Sequence, residues 1–121
     1  MDAFYEPNWE SGKAVRWRIE RADRQPFPII TAIWGHHAHG NGAIDSFSML
    51  TVNADTHPLM NHFHPPGDKK RMLVIVNELD YQKWLNGDDL SALGFLKTYP
   101  AELMTARPGP MAPRNRRAEA V

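Results

Sequence analysis

The sequence predicts an α+β domain, mainly antiparallel β, with one or two short helices. Three observations predict it. Residues 14–22, AVRWRIERA, alternate Val15, Trp17 and Ile19 with Arg16, Arg18 and Glu20, the two-residue period of a half-buried strand. Runs rich in β-branched residues recur at 27–35, 47–54 and 71–76. A helical period appears only afterwards, so several strands are followed by a short helical segment.

Taken in order, AFYEP is a strand signal that starts at residue 3 with almost no lead-in. The second strand, VRWRIERA, has one face for the core and one that is cationic. FPIITAIWG (27–35) and FSMLTVNA (47–54) read as buried strands, and HHAHGNGAIDS between them reads as a loop on its glycine and histidine content. RMLVIV (71–76) is the next strand. A helix fits 78–86, with Asn77 as N-cap, Leu79, Trp84 and Leu85 on one side, and Gly87 as terminator. A shorter helix starts near Asp88 or Asp89 and runs to Leu96. From Arg107 onward the chain is Pro-, Arg- and Ala-rich without an apolar period, so residues 1–106 are expected to be the domain and 107–121 a disordered tail.

Composition narrows the function. The 121 residues suit one domain, and 42% hydrophobic with 23% charged is ordinary for a globular protein. No apolar run approaches the ~20 residues of a membrane span, so no membrane partner is expected. The N-terminus lacks the basic and apolar segments of a signal peptide, which makes cytoplasm or nucleoid the expected location. With no cysteine, the chain has no disulfide, thiolate metal site or cysteine nucleophile of its own. The zero net charge hides segregation: residues 13–24 carry five cations against two anions, whereas 1–12 and 77–106 are acidic. A basic face of this kind suits a polyanion, although solvated strand edges account for the same counts.

Three groups of residues invite chemistry. His36, His37 and His39 are imidazoles of the type that bind zinc or nickel, but the only nearby carboxylate is Asp45, and no metal or other cofactor is assigned. Glu6, between Tyr5 and Pro7 in an aromatic strand, is placed for partial desolvation and acid–base work. His62 and His64 flank Phe63 and, in extended backbone, point the same way, just before a Pro-Pro-Gly turn and Lys69, Lys70 and Arg71. Cations there disfavour a protonated imidazole and could hold a phosphate; a polar turn capping a strand explains the residues equally well.

Together these stretches carry a resemblance. The ordered set AFYEP, VRWRIERAD, SMLTVNAD, NHFHPPGDKKRMLVIV and DYQKWL resembles the SOS response-associated peptidase (SRAP) family, over roughly residues 2–106. Family members look like GFYEW at the first motif, and one branch carries FHKPGDEKRMPVI, which residues 63–75 follow almost letter for letter. The resemblance implies a partial SRAP-type, β-barrel-like core. It implies a sensor of abasic sites in single-stranded DNA that forms a covalent crosslink, with an associated autopeptidase activity. In the family an N-terminal cysteine reacts through its amine and thiol with the sugar aldehyde. On that match Glu6 orients the amine and shuttles protons, His64 assists ring opening and Schiff-base formation, and Arg71 holds backbone phosphate. Thr51 and Asn53 fall in the segment that lines the site; Arg16 and Arg18, on the cationic face of the second strand, are expected to contact DNA on their charge alone. Pro7 and Leu73 depart from the family's tryptophan and proline at those motif positions. The first half of the domain, with its cysteine, is unmatched, so the chain is expected to be the C-terminal portion of a family domain, with a complementary N-terminal fragment as a possible partner. The alternatives are a catalytically inactive nucleic-acid-binding module and a non-functional remnant.

Overall fold

In a computed structural model, which describes residues 1–112, the chain forms nine strands and two short helices. This is the α+β, mainly antiparallel architecture expected. Strands β1 (Phe4–Asn8), β2 (Val15–Arg21) and β9 (Met104–Pro108) make a three-stranded sheet in the order β1-β2-β9. The other strands pair two by two: β3 (Ile29–Ile30) with β8 (Ile75–Val76), β4 (Ala32–His39) with β5 (Gly42–Met49), and β6 (Thr51–Asn53) with β7 (Arg71–Leu73). All pairings are antiparallel. The strands fall into four small sheets, with no closed barrel among the described residues.

The three β-branched runs are each cut once, at Thr31, Leu50 and Val74. These residues bond to one another in a ring: Thr31 N–H donates to the Val74 carbonyl (3.0 Å), Val74 N–H to Leu50 (3.0 Å), and Leu50 N–H to Thr31 (3.1 Å). At this three-way junction each run changes partner, and the three two-stranded sheets radiate from it. The buried Thr31 hydroxyl adds a bond to the Val74 carbonyl, so the junction's polar groups are satisfied without water.

The HHAHGNGAIDS loop is corrected to a hairpin. β4 and β5 pair without interruption from Ala32↔Met49 to His39↔Gly42, leaving Gly40 and Asn41 as a two-residue turn. Gly40 sits at φ +58°, the left-handed backbone such turns need. The sequence predicts no strand after the helices and a tail that starts at Arg107, but β9 includes Arg107 and Pro108, pairing Arg107 with Arg18 and Pro108 with Trp17. Proline is tolerated there because β9 is an edge strand. The rest of the expected tail from residue 113 lies outside the described residues.

The helix expected at 78–86 begins as a 3-10 turn (Glu78–Asp80) and becomes α1 only at Tyr81–Asn86. Asn77 is extended before it but makes no side-chain cap bond. Gly87 ends the helix, its N–H bonding to the Lys83 carbonyl. α2 (Asp89–Leu93) is capped by Asp88, which accepts from Ser91 N–H at 2.8 Å.

The core lies under the inner face of the three-stranded sheet, where Phe4 and Ile19 meet Phe27, Met60, Phe63 and Met72. Phe27 packs at a tilt against Phe4 and edge-on against Tyr99, and Trp17 meets Phe63 edge-on at 6.0 Å. Phe63 therefore anchors the histidine segment into the core.

Candidate functional site

The histidine segment docks on the free edge of β1. Asn8 and Phe63 form an isolated antiparallel bridge, His64 N–H donates to the Pro7 carbonyl (2.8 Å), and Asn8 Nδ2 donates to the His62 carbonyl (3.2 Å). The edge that would otherwise be bare becomes the wall of a site.

The three histidines of this segment have three different positions. His57 is buried: its Nδ1 accepts from Leu59 and Met60 N–H, and its Nε2 donates to the Tyr99 carbonyl (2.6 Å). It bolts the 3-10 turn Met60–His62 to the chain before β9, a structural role that sequence reasoning missed; the helix start beside it was the available signal. His62 and His64 do not point the same way. His62 ends the 3-10 turn, whereas His64 takes left-handed backbone at φ +68°. The extended geometry expected for them is therefore broken on both sides of Phe63. A left-handed conformation in a non-glycine residue costs on the order of 1–3 kcal/mol, and the docked segment around it holds it there.

The consequence is two separate carboxylate–imidazole pairs. His62 Nδ1 meets Glu10 Oε1 at 2.6 Å, in solvent. His64 Nε2 lies 3.5 Å from Glu6 Oε2 and 3.3 Å from the Arg71 carbonyl, to which it donates. Glu6 and His64 are only 21% and 25% exposed. Burial pushes the Glu6 carboxyl above its ordinary value, and the attraction of His64 offsets part of the rise. A carboxyl tuned upward beside an imidazole can hold or release a proton near neutrality more readily than a solvated one.

β6 and β7 supply the rest. Asn53 pairs with Arg71 and Thr51 with Leu73 across the ladder, so Thr51, Asn53 and Arg71 share a face, while Val52 and Met72 turn to the core. An Arg71 guanidinium nitrogen lies 3.5 Å from Thr51 Oγ1. Asp55, which sequence reasoning passed over, fixes this corner. It accepts Lys70 N–H (2.7 Å) and the Asn53 amide (3.1 Å), and the Lys70 backbone bond in particular holds its carboxyl below the usual range. Lys70 does not offer its charge to a ligand: Nζ donates to the His64 and Pro65 carbonyls, clamping the turn that carries His64. Trp9, His62, His64, Pro66 and Lys70 line a hollow of about 200 Å³ beside the pair. The buried Trp9 indole nitrogen there finds no hydrogen-bond partner among the described residues.

The structure thus gathers Glu6, His64, Arg71, Thr51 and Asn53, and it sets Arg16 and Arg18 apart. Glu6 pairs with Trp17 and shares the inner face, whereas Tyr5, Arg16, Arg18 and Arg107 occupy the outer one. Arg16 lies over the Tyr5 ring at 3.7 Å. Arg18 bonds Glu20 (3.1 Å) and the Tyr5 hydroxyl (2.7 Å), both of which raise its pKa further, and the bond from Arg18 lowers that of Glu20. At the third place where chemistry was considered, His36 pairs with Asp45 across the hairpin, and alternation puts His37 and His39 on the opposite face.

A family comparison settles what this arrangement belongs to. Residues 1–110 match the family described as SOS response associated peptidase (SRAP). The chain belongs to the SRAP family. A crystal structure of a protein from Bordetella bronchiseptica is similar at 40% identity and TM-score 0.83, covering 91% of this chain and 52% of that one. A second, from Bacteroides thetaiotaomicron, is 20% identical with TM-score 0.75, covers 98% of this chain and 49% of that one, and shows the fold alone. No curated protein matches. The SRAP chain described here spans about half the length of the solved structures it matches. Membership places it at family level among proteins of the response to DNA damage.

Proposed function

We propose that this chain supplies the acid–base and phosphate-holding part of a site that reacts with abasic single-stranded DNA. The observation that carries the reading is the half-buried Glu6 carboxyl, raised by desolvation and paired with His64, on the same corner as Arg71. In the reaction, an amine attacks the sugar aldehyde, water leaves as the imine forms, and a thiol adds across the imine to close a thiazolidine. Glu6 takes the amine proton, and His64 moves the proton that opens the sugar ring. Arg71 holds a backbone phosphate without reading sequence, with Thr51 and Asn53 beside it. These 121 residues contain no cysteine, so amine and thiol are contributed from outside them. Single-stranded DNA and a complementary family segment are the partners on this reading, in the cytoplasm at the nucleoid.

The test joins this chain to the part of the Bordetella bronchiseptica protein that it does not cover, with a cysteine as first residue, and follows adduct formation on abasic DNA by denaturing electrophoresis. An adduct is expected from the joined protein and none resistant to reduction from this chain alone. Failure of the joined, folded protein to form an adduct overturns the proposal.

A second reading is a nucleic-acid-binding module without covalent chemistry, favoured by the outer-face stripe of Arg16, Tyr5 and Arg18. It expects salt-sensitive binding that Arg16→Ala weakens more than Arg71→Ala does. The opposite ranking favours the inner corner.

A further inference from the structure

The β4–β5 ribbon is sparsely covered, with almost every residue of both strands exposed. Trp34 and Phe47, a cross-strand pair, are 70% and 72% exposed, and Met49 on the same face is 52% exposed. On the opposite face Ile33 and Ile44 are 58% and 54% exposed. Among the described residues each strand has one partner only, so both outer edges of the ribbon are left unpaired by them. The ribbon is nonetheless fixed at its base, where Thr31 and Leu50 enter the three-way hydrogen-bonded junction. Isolated two-stranded hairpins are marginal in water, and apolar side chains on both faces with open edges describe a ribbon made to lie inside a larger sheet.

Relative length says what covers it. The match takes in 91% of this chain but 52% of the Bordetella bronchiseptica protein, so nearly half of that fold lies outside these residues. We propose that the β4–β5 ribbon is the seat of that other half of the family fold, whether the same polypeptide or another carries it. The incoming half adds a strand to a free edge of the ribbon and covers the Trp34–Phe47 face with apolar side chains. The proposal rests on the reading that this chain acts together with a complementary family segment, and it names the surface on which the two meet.

The experiment mixes the 121-residue chain with the uncovered part of the Bordetella bronchiseptica protein and omits DNA. A one-to-one complex is expected by light scattering, with a blue shift of tryptophan emission and slower hydrogen exchange at the amides of β4 and β5. Trp34→Ser with Phe47→Ser should weaken the complex by at least ~30-fold, the scale of a central aromatic anchor. Both side chains are mostly exposed, so the variant should keep the parent's circular dichroism. If it does not, exchange at the ribbon of the unaltered chain decides the matter. No complex, a complex of unchanged affinity in the variant, or unprotected ribbon amides overturns the proposal. So does self-association of this chain through the ribbon, which would assign the face to a second copy. The readout is binding alone: a complex that forms but does not crosslink counts against the acid–base reading and leaves the docking surface standing.

Discussion

Glu6 with His64 and Glu10 with His62 are two carboxylate–imidazole pairs made from neighbouring stretches of the same two segments. The exposed pair is the closer, at 2.6 Å against 3.5 Å. Distance alone would rank Glu10–His62 first. Burial reverses the ranking, because Glu6 sits on the inner face of β1 with Phe4 and Trp17 and loses hydration that Glu10, in solvent, keeps. The desolvated Glu6 carboxyl is moved above its ordinary value by its surroundings. An ion pair in water is weak and screened; the same two groups under a hydrophobic wall become chemistry.

The comparison breaks most severely if the wall itself is removed. Phe63 is 1% exposed, meets Trp17, and is the residue by which the histidine segment bridges to β1. Phe63→Ala is expected to destabilise the chain by about 3–5 kcal/mol, read from denaturant unfolding. A loss under about 1 kcal/mol would mean that the segment is not seated as described.

Chemistry gives the next largest difference. In the protein joined to its complementary half, Glu6→Gln and His64→Ala should each slow adduct formation by ~10²–10⁴, the range of a positioned acid or base. Glu10→Gln and His62→Ala should change the rate by no more than a few-fold. Equal losses at both pairs would show that burial does not distinguish them.

How much of this was legible in the sequence follows from the same residues. Glu6, His64 and Arg71 were picked out by the company they keep in AFYEP and HFHPPGDKKR, and Thr51 and Asn53 only through the family resemblance; the structure puts these five on one corner. Their geometry was not legible. Nothing local announces that His64 takes left-handed backbone, or that Lys70 spends its charge on two carbonyls instead of a ligand. The junction at Thr31, Leu50 and Val74 is invisible for a related reason: each run remains β-branched through the cut, and only long-range pairing decides where partners change. The β4–β5 hairpin was hidden by its histidines, although Gly40-Asn41 is a sound two-residue turn, and β9 by the arginine and proline at its end.

The pH dependence of Glu6 sharpens the contrast without any DNA. Its folded pKa lies above the ordinary glutamate value of 4.5, so folding favours the protonated form. The stability this confers is complete below about pH 4.5 and is lost as pH rises through the raised pKa. Glu6→Gln, which cannot ionise, should therefore gain melting temperature relative to the parent at pH 7 and gain less at pH 4. A difference that is constant with pH, or larger in acid, would contradict the burial-driven shift.

The smallest effect is expected at Glu10, and it tests the other half of the comparison. Both members of that pair are more than half exposed, with side-chain exposures of 61% for Glu10 and 53% for His62. Attraction across solvent is offset by the entropy of holding two side chains together, and exposed pairs are typically worth about 0.2–1 kcal/mol. Glu10→Gln keeps the size of the side chain and an oxygen that accepts from the imidazole, so what it removes is charge. The substitution should cost less than ~1 kcal/mol at low ionic strength, and the cost should shrink as salt is raised past the point where the Debye length falls below ~10 Å. A larger loss that ignores salt would mean that Glu10 helps to hold the turn bearing His64. The two pairs would then be one coupled unit, and the ranking by burial would have to be abandoned.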